Sequence, residues 1–236
     1  MTSFGRMQRR QLLAAPLLLP AVRARAEPAT PVLVELFTSQ GCSSCPRADA
    51  ALARLAGRVD VLPLAFHVTY WDRLGWRDTL GDPQFDQRQR WYDGLLGTGA
   101  YTPQAVVAGE IDLVGSDPRL EQAIDIARSN RMPARIEIAG TSAALPALPL
   151  PAPLRLRLTV VAFEARHHVA IERGENAGVE IDYVNPVRAM AELGDWDGGA
   201  RSVDLGTIVR ARAGVAVIAQ DAASGRIHAL GSRTPS

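Results

Sequence analysis

Cys42 and Cys45 are the only cysteines in 236 residues, and they form a single C-x-x-C, Cys42-Ser43-Ser44-Cys45. Two thiols at that spacing can close a disulfide, open it and exchange it with another, with thiolate as the attacking species. A bond between them closes so short a loop that it removes little entropy from the unfolded chain, so stapling is a weak reason for the pair. A half zinc site is the other use of the spacing. It lacks partners: no second cysteine pair exists, and the only histidines are His67, His167, His168 and His228. Redox chemistry is the expected use of the pair.

The elements that must position the cysteines can be read on either side. Pro31 to Phe37 is a short apolar, β-branched run, expected as a buried strand. A loop over Thr38 to Gly41 leads to a helix from about Cys45 to Ala56, with Ala48, Leu52 and Leu55 on one face. Pro46 suits the first helical turn and Gly57 is a natural stop. Val59 to His67 reads as a second buried strand, which completes a β–α–β unit. Cys42 then precedes a helix whose unpaired N–H groups and dipole favour a thiolate. Cys45, one turn inward, is placed to resolve a mixed disulfide.

Further along, Asp82-Pro83 opens a helix over Phe85 to Leu96. Tyr101-Thr102-Pro103 precedes a strand near Gln104 to Ala108, a strand follows at Ile111 to Val114, and a helix runs over Pro118 to Ser129 with Leu120, Ile124 and Ala127 on one face. From about Ala134 the pattern changes to alternating runs at Arg135–Ile138, Leu154–Phe163, His168–Glu172, Val179–Val184, Val215–Ala219 and Ile227–Leu230. Turn clusters separate them: Gly174-Glu175-Asn176, Asp197-Gly198-Gly199 and Ser224-Gly225. Pro146, Pro149, Pro151 and Pro153 make a stiff extended connection.

Glu35…Cys42-Ser43-Ser44-Cys45…Thr102-Pro103 resembles the thioredoxin superfamily. The element order β-α-β-α-β-β-α is likewise that of a thioredoxin-like domain, so the expected fold is α/β: such a domain over residues 27–131 with a helical and aromatic insertion, followed by a small β-sandwich over 132–236, read from the alternating runs. The resemblance implies that Pro103 is cis, that Thr102 faces Cys42, and that the backbone at Thr102 can pair with an extended substrate segment. It also implies that Glu35, a carboxylate inside an apolar strand, accepts the proton of Cys45. Burying Glu35 unpaired would penalise its charged form. A strand-edge Glu reaching water is the alternative.

Phe66-His67-Val68-Thr69-Tyr70-Trp71-Asp72-Arg73-Leu74-Gly75-Trp76 leaves the second strand at its carboxyl end, where α/β sheets host ligand sites. His67 could approach Cys42, and Tyr70, Trp71, Trp76 and Tyr101 could wall a substrate groove. The alternative is an aromatic mini-core with an inert His67. The set LFTSQGCSSCP, FHVTYWDRLGW, YTPQAVV and GENAG is similar to a family of secreted thioredoxin-like proteins of unknown function, over about Val32 to Gly231. Thr69 departs from the acid expected there. His167 and His168 would face opposite sides of a strand and so do not form a metal pair.

Residues 1–26 read as a targeting segment: basic Arg6, Arg9 and Arg10, an apolar run from Leu12 to Val22, and a small-x-small site at Ala24-Arg25-Ala26. Arg9-Arg10 also fits a twin-arginine signal. Cleavage near Ala26 would place the mature chain in the periplasm or outside the cell. The formal net charge of +1 gives no reason to expect nucleic acid, and no later stretch reaches the roughly 20 apolar residues that a span needs. Three functions follow. The first is a thiol–disulfide oxidoreductase acting on exported protein thiols or disulfides with an unidentified redox partner, needing no cofactor beyond the Cys42–Cys45 disulfide. The second is a copper-binding protein using Cys42, Cys45 and His67. The third is a non-catalytic binding module with a locked disulfide.

Overall fold

In the computed structural model of the chain, which apart from Met1 describes residues 30–130, 133–209 and 213–235, the first apolar run is strand β1 (Val32–Thr38), buried at every position. The targeting segment lies outside the described residues. Helix α1 (Cys45–Leu55) starts with Pro46 in its first turn and buries Ala48, Ala51, Leu52 and Leu55. Strand β2 (Val61–His67) is again fully buried, because both of its faces are covered: Leu62, Leu64 and Phe66 on one side, Val61 and Ala65 on the other. A 3₁₀ turn at Asp72–Leu74 leads to α2 (Pro83–Leu96), capped by Asp82, whose side chain accepts from the Gln84 N–H at 2.8 Å. Strands β3 (Gln104–Val107) and β4 (Ile111–Val114) form a hairpin, and α3 (Leu120–Ser129) follows.

These strands form one sheet in the order β2-β1-β3-β4, with β1 and β2 parallel and β3 antiparallel to β1. The alternation along β1 decides which layer each residue meets. Val32, Val34 and Leu36 face α1 and α3, together with Ala48, Leu52, Leu55, Ala123 and Ile124. Leu33 and Phe37 face the other way, onto Phe85 and Tyr92 of α2 and onto residues from the second half of the chain.

Among the described residues that second half carries, besides a 3₁₀ turn at Gly206–Ile208, the strands β5 (Ala134–Arg135), β6 (Glu137–Ala139), β7 (Ser142–Leu145), β8 (Leu156–Phe163), β9 (Arg166–Ala170), β10 (Glu180–Val184), β11 (Val187–Trp196), β12 (Arg201–Asp204), β13 (Gly214–Asp221) and β14 (Ile227–Arg233). The strands β11-β8-β13-β14-β5 make a five-stranded sheet, β12-β7-β6 a small sheet, and β10-β9 a two-stranded ribbon. One face of the large sheet packs with the small sheet around Leu145, Leu158, Trp196 and Val217. Its other face contributes Val161, Phe163, Ala216 and Ile218 to the core that holds Leu33, Phe37 and Phe66. The α/β layer and the β layer therefore share a core. Trp196 is fully buried and donates from Nε1 to the Gly199 carbonyl at 2.7 Å, which anchors the turn expected after it. Among the described residues no helix is long and apolar enough to cross a membrane.

Candidate functional site

Cys42 and Cys45 are joined in a disulfide with their Cα atoms 5.4 Å apart. Cys42 ends the loop leaving β1, and Cys45 is the first residue of α1. Both are fully buried, whereas Ser43 and Ser44 between them are exposed. In the register of β1 with β3, Phe37 lies against Gln104. Thr102-Pro103, a cis peptide, thus comes off β3 beside the loop that carries Cys42. Gly115 lets these parts close together: a Cβ there would lie 2.5 Å from Leu36 Cδ1, 3.0 Å from the Ala48 Cβ and 3.5 Å from the Pro103 Cβ.

Two segments cover the disulfide loop. Trp71 is one: its indole Nε1 donates to Thr102 Oγ1 at 2.8 Å, and its own Cβ would be 3.1 Å from a Cβ at Gly41. It thereby bridges the cysteine loop and the Thr102-Pro103 loop. The other is the turn between β9 and β10. Asn176, buried there, donates its amide to the carbonyls of Gln40 and Cys42, each at 2.9 Å, and Glu175 accepts from the Ser43 N–H at 3.3 Å. Gln40 ties the same loop to the insertion. Its main-chain N–H donates to Asp78 Oδ2 at 2.8 Å, and its side-chain oxygen accepts from Trp76 Nε1 at 2.8 Å.

Behind the disulfide lies a buried polar cluster. Asp49, one turn into α1 from Cys45, accepts from Thr38 Oγ1 at 2.8 Å. His67, opposite Thr38 in the β1–β2 register, pairs through Nδ1 with Asp78 Oδ2 at 2.9 Å and meets the Tyr183 ring edge-on at 4.6 Å. Burial pushes the Asp49 carboxyl up to about 7, against the lowering influence of His67 and the Thr38 hydroxyl. Burial also works against the Asp78 carboxylate, but His67 and the Gln40 and Leu80 amides outweigh it and hold Asp78 below its ordinary value. Burial raises the Tyr183 phenol well above its usual range.

The structure does not bring Glu35 to Cys45. Glu35 shares the face of Leu33 and Phe37, away from α1, as the alternation along β1 requires. There it accepts from Arg88 Nε at 2.5 Å, from Arg88 Nη2 at 2.9 Å and from the Tyr92 hydroxyl, and Gln220 of β13 bonds both Arg88 and Tyr92. The buried acid is neither unpaired nor at a strand edge; it joins the two layers. His67 is fully buried on Asp78 and does not wall a groove. Tyr70 and Trp71 are half-buried against the shared core, and Trp76 packs with Leu80, Val169, Ile171 and Tyr183. Tyr101 donates its hydroxyl to Asp112 at 2.9 Å while its carbonyl accepts from Gln89. The sulfurs of Cys42 and Cys45 are bonded to each other, and His67 is turned to Asp78. Among the described residues no group of three or more His, Cys, Asp or Glu side chains is arranged to hold a metal ion.

The chain matches, over residues 33–220, the model of a family described as a protein of unknown function, DUF1223. It belongs to the DUF1223 family. The crystal structure of a protein from Agrobacterium tumefaciens is 32% identical, with a TM-score of 0.71 over 88% of this chain and 95% of that one. HBP35 of Porphyromonas gingivalis is similar at 15% identity, with a TM-score of 0.60 over 88% of this chain and 76% of that one, a likeness of fold alone. No curated protein matches this chain.

Three residues of this DUF1223 site escape a reading of the sequence. Asp49 stands four positions after Cys45 on a helix face otherwise made of Ala48, Leu52 and Leu55, and an acid on such a face is a signal in itself. Asp78 gives no local signal. Asn176 lies in GENAG, a motif that reads as an ordinary turn until its contact with the cysteine loop, 134 positions away, is seen.

Proposed function

We propose that this protein is a thioredoxin-like thiol–disulfide oxidoreductase of exported proteins, working through Cys42 and Cys45. The observation that carries the reading is the pairing itself. The only two cysteines of the chain are joined across the start of α1, where first-turn N–H groups favour a sulfur that becomes negative. The sheet order β2-β1-β3-β4, with α1 and α3 on one face and Thr102-Pro103 beside the cysteine loop, supports a thioredoxin-like arrangement. The basic, then apolar, then small-x-small start of the chain supports export.

In this reading the Cys42 thiolate attacks a disulfide of a protein substrate and forms a mixed disulfide. Cys45 then attacks Cys42 Sγ, the substrate leaves with both its sulfurs reduced, and the Cys42–Cys45 bond closes. Run backward, the same steps oxidise a substrate dithiol. The backbone at Thr102 offers a strand edge to an extended substrate segment. Trp71 and the Glu175–Asn176 turn must move aside for either direction.

A second reading is favoured by one observation, the complete burial of both cysteines. It makes the disulfide a fixed part of a binding module. A redox titration of the mature protein in glutathione buffers separates the two. The oxidoreductase is expected to titrate between about −270 and −120 mV, the range of dithiol exchangers. A pair that glutathione does not reduce would leave the binding module.

A further inference from the structure

Three buried polar atoms have no hydrogen-bond partner in the cluster behind the disulfide: Asp49 Oδ2, His67 Nε2 and the Tyr183 hydroxyl. Such atoms cost free energy in the folded state and call for a reason to be there. Asp49 is distinctive among them because it shares a helix with a cysteine. Positions four apart lie over one another on a helix face, about 5–6 Å between Cβ atoms. Cys45 and Asp49 both lie on the inner face of α1. One carboxylate oxygen of Asp49 is taken by Thr38, and the other is open.

We propose that Asp49 is the base that receives the proton of Cys45 when Cys45 resolves the mixed disulfide, and the acid that returns it in the reverse direction. This rests on the oxidoreductase reading. The balance is complete within it. The Cys45 S–H bond breaks and the proton passes to Asp49, the Cys45 sulfur forms a bond to Cys42 Sγ, and the bond from Cys42 to the substrate sulfur breaks. The substrate disulfide has gained two electrons and the cysteine pair has lost them. In reverse, a substrate thiolate attacks Cys42 Sγ and Cys45 leaves as the thiolate that Asp49 protonates.

The groups around Asp49 suit the task. From β1 comes the Thr38 hydroxyl, from β2 His67, from the insertion Asp78, and from β10 Tyr183. Asp78 is already bound by His67 and by the Gln40 and Leu80 amides, which leaves it no free oxygen in this cluster. Glu35 is on the opposite face of β1 and bound by Arg88 and Tyr92. A carboxyl titrating at about 7 can both take and give a proton at neutral pH, which is the condition for efficient proton transfer.

The test uses the full mature chain. The reduced protein is converted with Ellman's reagent to the Cys42–thionitrobenzoate mixed disulfide, and release of thionitrobenzoate by Cys45 is followed by stopped flow over about two pH units either side of neutrality. The wild-type rate is expected to rise through an inflection at about 7. Asp49→Asn is expected to lose that inflection and to slow release at neutral pH by at least about tenfold, with the gap narrowing at high pH where Cys45 ionises unaided. Thr38→Val, which removes the hydroxyl that favours the Asp49 carboxylate, should move the inflection upward, a change that a purely structural role would not produce. If the wild type releases thionitrobenzoate and Asp49→Asn does so at the same rate and with the same profile, the assignment to Asp49 is wrong and the oxidoreductase reading stands. If the wild type itself releases none, the oxidoreductase reading fails and this assignment with it.

Discussion

Asn176 holds the main-chain carbonyl of Cys42 at 2.9 Å, across 134 positions of sequence, and holds that of Gln40 at the same distance. A single side-chain amide from the strand-rich half of the chain thus fixes the loop that leads into the disulfide. The turn that carries it also places Glu175 on the Ser43 N–H. Part of the covering of the cysteines is therefore supplied from outside the α/β layer, and one substitution, at Asn176, removes its two buried hydrogen bonds.

Asn176→Ala leaves two carbonyls in a buried place without their donor. The expected cost in stability is about 1–3 kcal/mol. The more informative outcome is kinetic. With its tether gone, the Cys42–Cys45 bond should be reduced by dithiothreitol faster than in the wild type, by more than the stability change alone accounts for. Reduction rates in the two proteins, measured below the unfolding transition, check this. Equal rates would place the barrier to access elsewhere, with Trp71 on Gly41 and Thr102 as the remaining cover.

How much of this was legible in the sequence depends on how local each cause is. The runs around Val34 and Leu64 read as buried strands because nearly every residue in them is apolar, the run around Val161 reads as a strand by its alternation, and the structure places all three in strands. The cysteine pair and Thr102-Pro103 were visible as residue types at telling positions. Strand β11 was not. It is an edge of its sheet, and register shifts between Val187 and Ala189 and between Glu192 and Asp195 break the period-two alternation that marks a strand. The short strands β7 and β12 gave too few residues for any period. Glu35 was legible as a buried acid but not as a partner of Arg88, because the pairing spans 53 positions and depends on which face of β1 the residue takes.

The Glu35–Arg88 pair yields a second prediction. Both side chains are buried, and the guanidinium also bonds Gln220 of the other layer. Arg88→Met removes the cation and leaves the carboxylate enclosed with only the Tyr92 hydroxyl. Loss of one partner of such a pair costs about 3–5 kcal/mol. The double variant Glu35→Gln with Arg88→Met no longer encloses a lone charge and should recover a large part of that loss. Urea unfolding of the single and double variants measures both quantities. A double variant as unstable as Arg88→Met would show that geometry rather than charge sets the cost.

The third prediction concerns pH. The Asp49 carboxyl titrates at about 7 in the folded chain against an ordinary value of 3.8, because burial penalises its charged form. Below the ordinary value Asp49 carries its proton in both states and exacts nothing. As pH rises between the two values the unfolded chain gives up that proton while the folded chain keeps it, so stability falls across the window and the loss is complete only above the folded value. Asp78 acts in the opposite sense: its folded value lies below the ordinary one, so its contribution is present at neutral pH and is lost on acidification. The two overlap in the wild type, and a difference between proteins separates them. Asp49→Asn removes the Asp49 contribution and leaves Asp78 in place. The stability of the variant minus that of the wild type should therefore be smallest in acid and grow from pH 3.8 to about 7. It should reach a few kcal/mol, since each pH unit between the folded and unfolded values is worth about 1.4 kcal/mol. Unfolding free energies measured across that range decide it. A difference that stays flat with pH would mean that the carboxyl of Asp49 ionises in the folded protein as freely as it does in water.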